Sequence, residues 1–161
     1  MALRDPNRDF LRHTVATIAY RAAKAERDAP AGFGDFQAGN GSRTPLQLLA
    51  HLGDLFDWAL SMAQGKWDYK QSNPLKWRNE VGRFHASLEA FDAYLASDAP
   101  LGITTQKLFQ GPIADALTHV GQIAILRRLA AAPIRGESYA RADIVAGRLG
   151  TEQPKSPFEF D

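Results

Sequence analysis

The stretch TPLQLLAHLGDLFDWALSMAQG, residues 44–65, decides the fold class of this chain. Thr44 followed by Pro45 is typical of a helix N-cap with proline at the first helical position. Apolar side chains then recur every three or four residues, which predicts an amphipathic helix with one face in a core. These side chains are Leu48, Leu52, Leu55, Ala59 and Met62. Gly65 marks the predicted C-terminal end of the helix.

Three further segments carry similar signals and predict three more helices. Asp5-Pro6, Asn73-Pro74 and Gly111-Pro112 each stand before a stretch with helical periodicity. The four predicted helices span residues 6–27, 45–64, 74–97 and 112–132. Four such helices are typical of an all-α four-helix bundle, for which up-and-down connectivity is the simplest arrangement.

This arrangement makes residues 1–161 a single domain, with residues 133–161 as a wrapping C-terminal tail that holds a short helix near 139–145. Up-and-down connectivity would also place the two long loops, 28–43 and 98–111, at the same end of the bundle. Loops of this length in a compact domain are often functional, so we expect them to form the mouth of a site.

The composition restricts the classes of function. The net charge is +1, with 19 basic and 18 acidic residues, which argues against a general nucleic-acid binder. The absence of cysteine excludes disulfides and a catalytic thiol. No apolar run approaches the roughly 20 residues that cross a bilayer, and MALRDPNRDF has no apolar signal core. We therefore expect a cytoplasmic protein with a small-molecule substrate and with neither nucleic-acid nor membrane partners.

The chain has four histidines, and their depth in the predicted bundle separates them. If helices 2 and 4 both begin at the long-loop end, His51 lies about 10 Å and His119 roughly 12 Å along their axes. The two side chains would then sit at nearly equal depth. His13 is too far from that end and His85 falls off the core stripe of its helix, so both are interpreted as structural or solvated.

The fourth predicted helix carries an unusual polar stripe. The stripe consists of Asp115, His119, Gln122, Leu126 and Leu129. Arg127 and Arg128 point to the opposite side, so the stripe faces the core if these arginines mark water. Asp115 and His119 are four residues apart and project from one helix face. With His51 they predict a metal site with three protein ligands, which leaves coordination positions open. The alternative is a buried Asp–His hydrogen bond without metal.

The strings RTPLQLLAHLGDLFDWAL and DALTHVGQIAILRRL, together with the tail YARADIVAGRLGTEQP and the closing FEFD, resemble the DinB/YfiT-like superfamily. The resemblance covers about residues 5–150. It implies a four-helix bundle, frequently dimeric, with one metal-binding histidine on helix 2 and an H-x-x-x-H pair on helix 4. His51 matches the first histidine, and His119, in H-V-G-Q, matches the last. Asp115 replaces the middle histidine, as a carboxylate does in related maleylpyruvate isomerases and thiol transferases.

The function that this resemblance implies is that of a divalent-metal-dependent enzyme. The metal would be zinc, nickel or iron, and it would activate water or a substrate thiol. The reaction would be a thiol-dependent transfer or isomerisation, with a low-molecular-weight thiol, or a hydrolysis. Gln122 is the candidate catalytic residue, because it could orient a ligand or a bound water.

Two other functions remain open at this stage. The first is a non-catalytic helical bundle that acts as a ligand-binding or stress-related interaction protein. The second, DNA repair, is suggested only by the name of the superfamily, and the near-zero net charge argues against it.

A second apolar stripe on helix 4 bears on assembly. It consists of Ile113, Leu117, Val120 and Ala124. A second stripe needs a second cover, which a homodimer partner or the tail could supply. We expect the homodimer, which the resemblance also implies. The alternative is a rotated bundle in which this stripe is the core.

Overall fold

The computed structural model describes residues 5–160, and its secondary structure is almost entirely helical. The long helices are α1 (Pro6–Glu26), α2 (Pro45–Ala63), α3 (Trp77–Ala96) and a fourth rod formed by α4 (Thr105–Leu108), a π-helical turn (Phe109–Ile113) and α5 (Ala114–Leu129). Two 3₁₀ turns (Phe33–Asp35 and Tyr139–Arg141) and two short strands, β1 (Gly136–Glu137) and β2 (Glu159–Phe160), complete the fold. The all-α class is confirmed, and the bounds of α1, α2 and α3 lie within three residues of the predicted ones.

Local capping explains why the first two helices begin where the sequence predicts. The Asp5 carboxylate accepts a hydrogen bond from the backbone N–H of Asn7. Thr44 and Gln47 form a reciprocal capping box, in which each side chain bonds the other residue's backbone N–H. In contrast, Lys76 provides no side-chain cap for α3, which begins at Trp77 rather than at Pro74.

The fourth rod begins earlier than predicted. Residues 105–111, expected to belong to the connection 98–111, are helical, because the Thr104 hydroxyl accepts from the backbone N–H of Lys107 and starts the helix there. Gly111 has non-helical angles (φ −89°, ψ −106°) and precedes Pro112. Proline lacks the amide donor and crowds the preceding turn, so the rod bends at this point instead of beginning there.

The direction of the helices departs from simple up-and-down connectivity. At one end of the bundle, Arg8 of α1 donates to the carbonyl of Ser97, just after α3. At the other end, Arg127 of α5 donates to the carbonyls of Ala25 and Arg27, at the end of α1. Gly34 packs against both Trp77 and Leu46, at the first turns of α3 and α2. Helices α1 and α5 therefore run parallel, whereas α2 and α3 run together in the opposite direction.

The link between α2 and α3 makes this arrangement possible. Thirteen residues, 64–76, separate the two helices, and an extended chain of that length reaches about 43 Å, more than the roughly 28 Å length of α2. The link runs back along α2: the backbone N–H of Asp68 donates to Ser61 Oγ, and that of Ser72 to Asp54 Oδ2. The up-and-down interpretation was wrong because it assumed that consecutive helices are antiparallel. Loops 28–43 and 97–104 consequently lie at opposite ends.

The core contains the second apolar stripe of the fourth rod. Ile113 and Val120 are almost fully buried, which matches the rotated-bundle alternative. Contrary to what the sequence suggested, Arg127 does not face solvent, because it is 5% exposed and donates to backbone carbonyls of α1 and of Ala132. The polar stripe therefore lies at the edge of the bundle, with Asp115 and Gln122 exposed.

The C-terminal tail contacts the bundle at several points. Strands β1 and β2 pair in antiparallel register, Gly136 opposite Phe160. Lys24 of α1 binds both Glu137 and Glu159 through its ammonium group, and Leu149 is buried in the core. Among residues 5–160, no helix is both long enough and apolar enough to cross a membrane.

Candidate metal centre

His51, Asp115 and His119 come together where α2 passes α5. His119 Nε2 lies 3.3 Å from Asp115 Oδ1, and His51 Nε2 lies 3.5 Å from Asp115 Oδ2. One ligand atom from each residue can be chosen so that all lie within 4.8 Å of one another. The structure thus brings together the three side chains that the sequence selected, and the spacing of four residues places Asp115 and His119 on one face of α5 as expected.

The two histidines meet for a reason other than the predicted one. Helix α5 runs antiparallel to α2, so the end of α5 lies beside the start of α2. From that end, His51 lies six residues after Pro45, about 9 Å, and His119 lies ten residues before Leu129, about 15 Å. The premise that both helices begin at one end was wrong. The premise that the stripe is buried was also wrong, because the Asp115 side chain is 47% exposed.

Each histidine has one ring nitrogen engaged outside the cluster. Gln122 Oε1 lies 2.8 Å from His119 Nδ1, and as an amide oxygen it can only accept, so the proton of a neutral ring sits on Nδ1. The hydroxyl of Tyr69 lies 3.2 Å from His51 Nδ1. These contacts aim both Nε2 atoms at Asp115. The contact of Gln122 with a substrate or water stays a prediction, while its contact with His119 positions that ring.

The contacts inside the cluster are longer than hydrogen bonds of the charged type. A charged N–H···O pair typically measures about 2.7–2.9 Å, whereas the two His–Asp distances are 3.3 and 3.5 Å. They are close to the edge of a tetrahedron around zinc, roughly 3.3 Å for metal–ligand bonds of about 2.0–2.1 Å. Two imidazole nitrogens and a carboxylate also form a donor set suited to zinc, nickel or iron. The residues present therefore fit such an ion.

The electrostatic environment keeps His51 ready to bind a cation. Burial lowers the pKa of His51, and the charge of Arg43 and the neighbouring His119 lower it further, while Asp115 opposes the shift. The neutral imidazole is the form that ligates a metal.

Two cavities meet at His51. The first, here called the apolar groove, has a volume of about 580 Å³. It is lined by Ala38, Ser42, Arg43, Leu48, His51, Asp115, His119, Gln122, Ile125, Leu126 and Leu129. The second, the polar pocket, has about 480 Å³ and lies between residues 37–43 and the link 69–74. Both are within the size range of small-molecule sites, about 300–1,000 Å³.

Sequence reasoning missed Tyr69 and Arg43 as members of the site. Tyr69 lies on the link between α2 and α3, and its approach to His51 depends on the path of that link, which no periodicity reports. Arg43 precedes the N-cap of α2, and this adjacency to the helix that carries His51 was an available signal. Of the two remaining histidines, His13 is exposed, and His85 is buried between Glu26 and the Leu149 carbonyl, as the structural interpretation requires.

Comparison of the chain with models of known protein families, with curated proteins and with solved structures finds no match in any of the three.

Proposed function

We propose that this chain is a divalent-metal-dependent enzyme of the DinB/YfiT-like kind, acting on a small molecule. His51, Asp115 and His119 would hold the metal. The residue pattern that resembles that superfamily and the convergence of these three side chains support the proposal.

The observation that carries the proposal is the orientation of lone pairs in the cluster. Gln122 accepts the proton of His119 at Nδ1, so in the neutral ring the Nε2 lone pair faces a carboxylate oxygen. His51 Nε2 lies 3.5 Å from the second carboxylate oxygen, and the Tyr69 hydroxyl at its Nδ1 can either donate or accept, so that contact fits both neutral tautomers of His51. A lone pair that faces a carboxylate oxygen is stabilised by a metal ion, a proton or a water between the two atoms, and two imidazoles with a carboxylate are a donor set that suits the metal. The lowered pKa of His51 favours its neutral form, in which one ring nitrogen keeps a lone pair for a metal.

The chain's own residues limit what the site can do. A bound divalent ion would supply a Lewis acid in its open positions. Gln122 and Tyr69 hold the two imidazole rings in their orientations. The exposed side of Asp115 then stays open to solvent and substrate. Because the chain has no cysteine, the thiol of a thiol-dependent transfer or isomerisation would come from a separate small molecule. Hydrolysis needs no such molecule.

Elemental analysis of protein purified without chelator or metal-affinity resin tests the proposal first. We expect about one zinc, nickel or iron ion per chain, removable by chelator and restored by titration. Apo and reloaded protein should then be compared for transfer of a low-molecular-weight thiol to 1-chloro-2,4-dinitrobenzene and for hydrolysis of 4-nitrophenyl acetate. A chain that neither contains metal nor binds it on titration would favour the non-catalytic bundle.

The homodimer also stays a proposal, on different grounds. The stripe that suggested it is buried in the chain's own core at Ile113 and Val120. Phe10 and Phe109, 63% and 40% exposed, border one cavity beside the start of α1 and offer another apolar surface. Sedimentation of Phe10→Ser against the unmodified chain would test whether that surface joins two copies.

A further inference from the structure

The apolar groove and the polar pocket differ in how much of the candidate metal centre they reach. All three proposed ligands, His51, Asp115 and His119, line the apolar groove. Only His51 lines the polar pocket. A molecule that approaches the centre therefore meets the whole ligand set only from the apolar groove.

The wall of this groove away from the centre is hydrophobic and open. Ile125 and Leu129 lie on the solvent side of α5 and are 50% and 59% exposed. Leu126 and Leu48, both buried, form the floor. Large apolar side chains that stay exposed beside a polar centre are typical of a ligand-binding surface.

A single cation stands at the groove beside the centre. The Arg43 side chain is exposed and makes no hydrogen bond or ion pair with any other residue in the 5–160 range. Arg43 lies beside the centre, because it lines both the apolar groove and the polar pocket together with His51. Among the described residues that line the groove, Asp115 is the one acidic side chain, and a divalent ion would more than balance its charge. The groove therefore combines an apolar wall with an unpaired positive charge.

We infer that the substrate of this site is a small amphipathic anion, whose apolar chain packs on Ile125, Leu126 and Leu129 while its carboxylate, or a similar anionic group, pairs with Arg43. The inference rests on the proposed function only for the contact with metal. Guanidinium groups bind carboxylates through paired N–H donors, which suits this role. A neutral apolar molecule would leave Arg43 unpaired, and a small polar anion would leave the leucines exposed.

Calorimetric titration with acetate, butyrate, hexanoate and octanoate tests the inference on both apo and metal-loaded protein. We expect affinity to rise about fourfold for each methylene that enters the groove, in both forms, because the contacts of the alkyl chain and of Arg43 do not involve the metal. Ile125→Ser/Leu129→Ser should remove the dependence on chain length. Arg43→Gln should weaken octanoate about tenfold while leaving octan-1-ol unchanged.

Matched controls and the metal readout separate the possible outcomes. Val145→Ser and Arg78→Gln change an exposed apolar and an exposed basic residue outside the groove, and they should bind octanoate like the unmodified chain. If the unmodified chain binds no metal but its affinity for carboxylates still rises with their chain length, the proposed function is rejected and this inference is kept. Metal binding with no chain-length dependence would reject the inference alone. The inference would also be overturned if the unmodified chain were a dimer that binds no octanoate and Leu129→Ser made it a monomer. A second copy of the chain would then occupy the groove.

Discussion

The cluster of His51, Asp115 and His119 and the pair of His85 and Glu26 both join imidazole to carboxylate, but their geometry differs. His85 is 5% exposed, and both ring nitrogens have an acceptor: Glu26 Oε2 at 2.8 Å and the Leu149 carbonyl at 2.5 Å. In the open cluster, each histidine has one nitrogen held from outside and the other facing Asp115 at 3.3 or 3.5 Å.

This difference separates a structural histidine from a candidate ligand. Two acceptors around His85 require two N–H donors, so its ring is an imidazolium that ties α3 to α1 and to the tail. The pKa values move accordingly. Burial lowers the pKa of His85, but Glu26, the Leu149 carbonyl and Glu89 together outweigh this effect, and the net pKa is raised. The pKa of His51 is lowered, mainly by burial. Both nitrogens of His85 face acceptors, which favours its charged form, whereas each histidine of the open cluster has one nitrogen directed at Asp115, where a metal could bind.

The largest effect that this contrast predicts is loss of metal binding in His51→Ala or His119→Ala. Removing one of three protein ligands should weaken the metal by more than about 100-fold, beyond the roughly 10–100-fold typical of residues that only support ligands. Folding should persist, because the apolar core does not include these side chains. Competition titration of the apo variants with zinc measures the loss.

The matched controls are His13→Ala and His85→Ala, of which the first changes an exposed histidine outside the cluster. Both should bind zinc like the unmodified chain. Equal weakening in all four variants would mean that binding is non-specific, and the contrast between the two sites would fail.

The second prediction concerns stability. His85→Ala should reduce the free energy of unfolding by about 3–5 kcal/mol, because it leaves the buried Glu26 carboxylate without its cation. Urea denaturation provides the measurement, with His119→Ala as the comparison, for which we expect less than about 1 kcal/mol in the absence of metal. A larger loss for His119→Ala would reverse the assignment of structural and ligand roles.

The third prediction tests the residues that hold the two imidazole rings. Gln122→Ala and Tyr69→Phe each remove one partner of a histidine Nδ1. We expect metal affinity to fall about 10-fold in each, since such orienting contacts typically contribute factors of about 10–100. Gln110→Ala is a matched amide control outside the cluster. An unchanged affinity in Gln122→Ala would leave that residue free for the predicted contact with substrate or water.

Much of the fold could be predicted from the sequence, because its signals are local. The capping box of Thr44 and Gln47 and the cap at Asp5 fix where α2 and α1 begin. The spacing of Asp115 and His119 likewise depends only on helix geometry. Periodicity also defines two faces of α5, but it does not say which is the core.

The remaining features depend on contacts between distant segments. Arg127 suggested a solvent-facing side, yet it satisfies carbonyls at the end of α1 that would otherwise lack donors. The parallel course of α2 and α3 depends on a link long enough to return along the bundle. That link brings Tyr69 to His51, which is why the site was only partly predicted. The three candidate ligands were still found, because which side chains share one face of a helix does not depend on the direction in which that helix runs.

The smallest predicted effect is the pH dependence that His85 contributes to the free energy of unfolding. The groups that face it are Glu26 on α1, the Leu149 carbonyl of the tail and Glu89, one turn further along α3. A pKa raised above the ordinary value of 6.5 means that the folded state holds the proton more tightly than the unfolded chain does. The resulting stabilisation is fully present below about pH 6.5 and is lost as the pH rises through the folded pKa.

His85→Gln is the appropriate reference, because a neutral amide of similar reach cannot titrate. The difference in unfolding free energy between the unmodified chain and His85→Gln should therefore be largest near pH 6 and should shrink towards pH 9. The lowered pKa of His51 has the opposite sign and costs stability as the pH falls below about 6.5. It is present in both chains and cancels in the difference. A difference that stays constant from pH 6 to 9 would mean that His85 is held by packing and not by its charge. The His85–Glu26 pair would then lack the positive charge that distinguishes it from the cluster of His51, Asp115 and His119.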